Sequence, residues 1–264
     1  MRSPGEPQLY ESTRRAWQDI WDSASIEAEL DAVQSARAQR TIRTYLPFLP
    51  QDGLILEAGS GLGAVVITLW RMGYNVVGLD YAENALRAAK AYEPALPLVA
   101  GDVHALPAAS GALAAYLSFG VLEHFEHGMG PALAEAHRVL RPGGLLVLTI
   151  PYPNLVHRLA AWRRRGSALV TKGFYESTYS RSALTAAVAA AGFTVARTVP
   201  TSHAFTLWGL GGLFRAPGYY RTSRLAELLG GLLGMVLPWA FNFSTLVIAH
   251  KKDESGQEAV TRLS

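Results

Sequence analysis

Between Leu54 and Ile150, short apolar runs alternate with stretches whose apolar residues recur at helical spacing. The runs predict strands at 54–57, 75–79, 96–99, 113–118 and 144–150, with helices at 64–72, 82–91 and 130–140 between them. Alternation of this kind gives a parallel sheet covered by helices on both faces, with ligands at the carboxyl ends of the strands. Before it, residues 9–45 read as helical, with Trp17, Ile20 and Trp21 on one face, continued by Ile26, Leu30 and Val33. Pro47 and Pro50 end that pattern, and residues 1–8 are expected to be flexible. After it, a long connection at 151–178 leads to a helix at 180–191 and strands at 193–199 and 245–249. The last two strands are separated by an apolar, glycine-rich stretch at 202–243, and a polar tail occupies 251–264.

The densest chemistry lies at the end of the first strand. Leu54-Ile55-Leu56 is followed by Glu57 and then by Gly59, Gly61 and Gly63, and the next helix opens near Ala64. Glycines in such a loop let the backbone approach a ligand, and the helix N-terminus aims amides at it. Asp80 closes the second strand, where a carboxylate can accept both hydroxyls of a ribose or hold the turn into the next helix. An adenine nucleoside cofactor is expected. Gly59 to Ala64 also fits the dinucleotide fingerprint, so a nicotinamide oxidoreductase stays open on this motif. Three features separate the two. Glu57 would repel a pyrophosphate but suits an ammonium. Asp102, in Gly101-Asp102-Val103, suits an adenine amino group or a simple turn. Val121-Leu122-Glu123-His124-Phe125 and Arg138-Val139-Leu140-Arg141-Pro142-Gly143-Gly144 then follow.

In this order and spacing, those motifs resemble a class I S-adenosylmethionine-dependent methyltransferase of the type 11 kind. The resemblance covers residues 45–150 closely and 176–250 loosely. It implies an α/β, Rossmann-like sheet of seven strands, mostly parallel, whose last two strands form a hairpin with one antiparallel member. It implies S-adenosylmethionine as cofactor, with Glu57 on the methionine ammonium, Gly59, Gly61 and Gly63 at the backbone approach, and Asp80 on the ribose. Tyr81, Asp102 and Val103 would border the adenine, and Phe119 and Gly120 the adenosine and methionine portions. The polar metal-binding pair of quinone-biosynthetic relatives is replaced here by Phe119-Gly120. The Asn/Asp-Pro-Pro-aromatic motif of base-methylating relatives is replaced by Ser118-Phe119-Gly120. No metal site and no nucleic-acid substrate are expected.

Composition narrows the class further. Half of the 264 residues are hydrophobic, 17% are charged and the net charge is only +3, which suits a folded enzyme better than a nucleic-acid binder. Arg163-Arg164-Arg165 is the lone basic cluster. The absence of cysteine excludes disulfides and thiol chemistry, and the N-terminus has no signal-like apolar stretch, so a cytoplasmic protein is expected.

His124 follows the fourth strand and has two readings: a general base on the methyl acceptor, or an organiser of its own loop. Tyr152, His157 and Tyr175 are weaker candidates in the 151–178 connection. The N-terminal helix is either a lid, through Tyr10, Trp17 or Trp21, or plain packing. Residues 202–243 are a wall around an apolar substrate, a homodimer contact, or a membrane-surface anchor in which Arg215, Arg221 and Arg224 meet headgroups. The expected domains are an extension at 1–45, a methyltransferase domain at 46–250 with that apolar insert, and a flexible tail. The expected activity is methyl transfer to a hydrophobic small-molecule or lipid-like acceptor, foremost on oxygen. A non-methylating binding protein for the same cofactor is the alternative.

Overall fold

The computed structural model describes residues 6–163, 170–171, 174–217 and 221–252. The N-terminal pattern forms three helices, α1 (Glu6–Ser23), α2 (Ile26–Gln34) and α3 (Ala36–Tyr45). The breaks fall at serines: the hydroxyls of Ser25 and Ser35 accept the amides of Ala28 and Ala38, each capping a new helix. Residues 6–8, expected to be flexible, are the first turn of α1. Pro7 fits there because a first-turn amide needs no helical partner.

The alternating region gives β1 (Leu54–Ala58), α4 (Ala64–Arg71), β2 (Val76–Asp80), α5 (Glu83–Tyr92), β3 (Leu98–Ala100), β4 (Leu113–Phe119), α6 (Gly130–Val139) and β5 (Leu140–Pro151). Then follow α7 (Leu155–Arg163), a two-residue pair β6 (Val170–Thr171) and β7 (Phe174–Tyr175), α8 (Arg181–Ala190) and β8 (Phe193–Thr201). The chain continues through α9 (His203–Gly209), α10 (Arg224–Val236) and β9 (Ser244–Lys251). Two strand starts differ from the sequence reading by two residues or more. Pro97 has no amide to donate, and its carbonyl accepts the Gly78 amide, so β3 begins at Leu98. β5 starts four residues earlier than expected, because Leu140 already pairs with Leu113.

The seven strands are ordered β3-β2-β1-β4-β5-β9-β8, and β9 runs antiparallel to both of its neighbours. All other pairings are parallel. β1 is the third strand, between β2 and β4, with Glu57 level with Gly78 on one side and Leu117 on the other. The chain crosses from one side of the sheet to the other between β1 and β4. That is the switch point at which open α/β sheets bind ligands.

Side chains alternate across each strand, so the sheet has two cores. Ile55, Ala115 and Val147 pack with α4 and with Val33, Ile42 and Tyr45 of α2 and α3. Leu56, Tyr116 and Leu148 pack on the opposite face with Leu133, Val139, Leu184 and Phe193. α2 and α3 thus belong to the core of one face.

The Arg138–Gly144 run proves to be structural. Arg138 binds Glu135 and the carbonyls of Leu106 and Ala108, and Arg141 pairs with Asp52. The 202–243 stretch folds as a cap. α10 crosses α9 at Gly230, where a Cβ would come within 2.5 Å of the Ala204 amide nitrogen. Ala204, Leu207 and Ala226 form a small core there. No described helix is long and apolar enough to cross a membrane.

Candidate active site

β1 carries Glu57 into the interior, only 4% exposed, and the chain must then turn sharply into α4. Gly59, Gly61 and Gly63 all adopt left-handed φ, at +80°, +51° and +75°. Space as well as conformation demands glycine here. A Cβ on Gly59 would sit 2.3 Å from the Val121 side chain, and one on Gly61 would sit 2.5 Å from the Trp21 indole. The amides of Gly59 and Ser60 donate to the Leu79 carbonyl at 2.7 and 3.0 Å, fastening the loop to the end of β2.

Asp80 completes that fastening. One carboxylate oxygen accepts the Gly61 amide at 2.7 Å and the other accepts the Ala82 amide at 2.8 Å, just ahead of α5. Burial pushes its pKa upward, and the amides oppose that shift. Asp102 accepts the His104 amide at 2.9 Å, so it holds its turn while facing the same space.

Glu57, Gly59, Asp80, Tyr81, Asp102, Val103, Phe119, Gly120 and His124 line one cavity of about 350 Å³. Gly61 and Gly63 stand behind its wall, shaping the loop without lining the cavity. Trp17 and Trp21, read from the sequence as lid candidates, line it too, whereas Thr13, Arg14, Glu29, Val33 and Arg37 of α1–α3, which also face it, had no such signal. Val33 and Arg37 stand four residues apart, yet the serine break between their helices conceals any single-helix face.

α1 closes the cavity over the glycine loop. Trp17 and Trp21 stack with centroids 5.5 Å apart, and Trp17 meets the His124 ring edge-on at 5.2 Å. The Arg14 guanidinium lies 5.1 Å above the Tyr81 ring. Asn84 ties α1 to α5 through the Gln18 carbonyl and the Asp22 carboxylate. The side chains of Tyr10, Trp162 and Phe174 and the arginine triplet lie outside the described ones.

The cavity is lined by carboxyl groups under strain from burial. Oε2 of Glu57 has no hydrogen-bond partner, and burial pushes the group up to about pKa 8, with Asp80 and Glu29 adding to it. Glu29, Asp80 and Asp102 line the same cavity, whereas Glu123, likewise buried with an orphaned Oε2 and a pKa pushed up to about 8, borders a neighbouring one. A buried carboxyl of raised pKa gives up its proton most readily beside a cation, so the Glu57 end of the cavity favours a cationic group over a pyrophosphate. An ammonium placed at Glu57 would satisfy the orphaned oxygen.

His124 is buried, and burial lowers its pKa. Its Nδ1 lies 2.8 Å from the Tyr175 carbonyl. A carbonyl only accepts, so Nδ1 carries the proton and Nε2 keeps its lone pair in the neutral ring. Tyr175 thus serves through its backbone. Tyr152 and His157 pack instead beneath the cap, against Trp239 and Phe243 respectively, and do not line this cavity. Among the described residues no cluster of three or more histidine and acidic side chains could hold a metal ion.

Residues 56–148 match the model of a family described as a methyltransferase domain. A probable S-adenosylmethionine-dependent methyltransferase of Mycolicibacterium smegmatis is 28% identical over 149 residues, covering 56% of this chain and 55% of that protein. A malonyl-[acyl-carrier protein] O-methyltransferase of Pseudescherichia vulneris is 33% identical over 123 residues, covering 46% and 48%. The chain spans about half the length of the curated relatives it matches. Among solved structures, the putative methyltransferase held by the Haloferax volcanii Trm112 activator superposes with a TM-score of 0.62 at 19% identity, covering 92% of this chain and 98% of that one. At that identity the likeness speaks for the fold. Residues 56–148, with the switch-point cavity and the orphaned oxygen of Glu57, thus form a methyltransferase domain of the S-adenosylmethionine-dependent kind.

Proposed function

We propose that the chain transfers a methyl group from S-adenosylmethionine to an oxygen of a hydrophobic small molecule. One observation carries the reading: the buried carboxyl of Glu57, whose Oε2 has no partner, lines a cavity with three further acids beside a left-handed glycine loop. When bound, the cofactor supplies a methyl group already activated by its sulfonium. Glu57 holds the ammonium, and Asp80 takes the ribose hydroxyls with lone pairs not used by Gly61 and Ala82. Tyr81, Asp102 and Val103 border the adenine, while Phe119 and Gly120 line the path toward the acceptor.

The remaining tasks are placement and exclusion of water. Trp17 and Trp21 serve as the lid. Nε2 of His124 takes the proton of an acceptor hydroxyl, as a neutral buried imidazole can near pH 7. The name of the malonyl-[acyl-carrier protein] O-methyltransferase relative favours oxygen as the acceptor atom. The apolar cap supports a hydrophobic acceptor.

The test is release of S-adenosylhomocysteine when protein and S-adenosylmethionine are offered a panel of apolar phenols and carboxylic acids. Turnover with one or more of them is expected. Cofactor binding with no turnover on any member would favour the binding-protein alternative, and a preference for NADH would overturn the reading.

A further inference from the structure

Beyond the cofactor space lie two more cavities, and one residue borders all three. The first, about 260 Å³, lies between α3 and the ends of β4, β5, β8 and β9, lined by Tyr45, Phe119, Glu123, Phe205 and Phe243. The second, about 600 Å³, runs between α3 and the inner side of α10, past Leu228, Gly231, Leu232, Gly234 and Met235. Arg37 stands where they meet.

Its guanidinium lies 4.8 Å above the Phe205 ring, and its buried Nε has no hydrogen-bond partner. It makes no ion pair with a described residue. Two carboxyls are near enough to attract it, Glu227 and Glu29. Neither satisfies it: Glu227 accepts the Thr222 hydroxyl, and burial drives Glu29 toward its neutral form. A buried arginine without a paired anion is costly, and its planar fork matches a carboxylate or phosphate. The groove beside it is apolar along Leu228, Leu232 and Met235 of α10, and Arg40, Thr41, Thr44, His203 and Glu227 also line it. Leu228, Leu232 and Met235 follow at helical spacing and are 63%, 47% and 74% exposed. A Cβ on Gly231 would meet nothing within 4 Å, which leaves room between them.

We propose that Arg37 anchors the anionic headgroup, a carboxylate or phosphate monoester, of an amphiphilic acceptor whose apolar chain lies along the inner side of α10. This rests on the methyl-transfer reading and narrows its substrate class. The 202–243 cap is then the substrate wall among the three roles expected of it.

The experiment is calorimetric titration of the full chain with decanoate, decyl phosphate and decanol, with and without S-adenosylhomocysteine. At least one anion is expected to bind tenfold or more tighter than decanol. Arg37→Gln should erase that preference and Arg37→Lys should keep part of it. Gly231→Leu, which fills open space, should weaken all bound probes about tenfold, with thermal unfolding confirming that each variant folds. Equal affinity for decanoate, decyl phosphate and decanol, no binding of any probe, or an unchanged preference in Arg37→Gln would overturn the proposal. Failure of S-adenosylhomocysteine to bind, with the probe pattern intact, would speak against the methyl-transfer reading alone.

Discussion

The indole of Trp21 occupies the space that a side chain at Gly61 would need, with 2.5 Å between the ring and a Cβ built there. The cofactor loop and the N-terminal helix are therefore in close fit at this point. Gly61→Ala would force both a left-handed alanine at φ +51° and a displaced Trp21. A cost of about 1–3 kcal/mol is expected from the backbone alone. The expected readout is a lower unfolding temperature together with a changed tryptophan emission, and an unchanged emission would separate α1 from the loop.

Glu57 should make the empty protein sensitive to alkali. Its folded pKa, pushed by burial to about 8, exceeds the ordinary value of 4.5 that holds when unfolded. The folded state therefore keeps a proton that the unfolded state releases, so stability falls as pH rises from about 5 to about 8 and levels off above. Glu123 adds a slope of the same sign. Thermal unfolding across that range should fall less steeply for Glu57→Gln than for the parent. An equal slope would show that Glu57 is ionised in the empty site.

Asp80 should be intolerant of its amide. Its two oxygens accept amides of Gly61 and Ala82, and asparagine offers one acceptor and turns an NH2 toward the other amide. Charged hydrogen bonds of this kind contribute about 1.5–3 kcal/mol each. Asp80→Asn is expected to weaken S-adenosylhomocysteine about tenfold or more by calorimetry. Retained affinity would remove Asp80 from the cofactor's binding set.

Much of this site could be read in advance because it lies on one contiguous chain segment. Strand, acid, glycine loop and helix follow one another from Leu54 to Arg71, and local rules connect them. Glu57 was legible for that reason; Asp80 and His124 lie outside the segment and were legible because each stands at or shortly after a strand end where the sheet presents it, His124 with two readings open. Arg37 was not legible at all, and Trp21 only as one of two readings of the N-terminal helix. Their importance depends on how α1–α3 fold back over the sheet, which no local spacing encodes, and the Ser25 and Ser35 caps disrupt the periodicity that would have hinted at it. Tyr152 and His157 looked chemical in the sequence and are packing residues, because the 202–243 cap supplies the aromatic partners that absorb them.

His124 should control the acidic limb of the reaction. Burial lowers its pKa below 6.5, so the ring stays neutral and able to accept a proton until the pH falls below that point. Once an acceptor is in hand, kcat/KM should fall on the acidic side of that range. His124→Gln should lose about 10²–10⁴ in kcat and abolish that limb. A variant that keeps the limb, or loses only stability, would assign His124 to organising the loop through Tyr175.

The most direct test of the central claim is a pair of calorimetric titrations on the parent chain and Glu57→Gln. One uses S-adenosylhomocysteine and the other 5′-methylthioadenosine, which has the nucleoside but no amino-acid group. If Glu57 holds the cofactor's ammonium, the variant loses about tenfold or more toward S-adenosylhomocysteine while its affinity for methylthioadenosine stays within about twofold. No binding of S-adenosylhomocysteine by the parent chain, or equal losses for both ligands, would contradict the account.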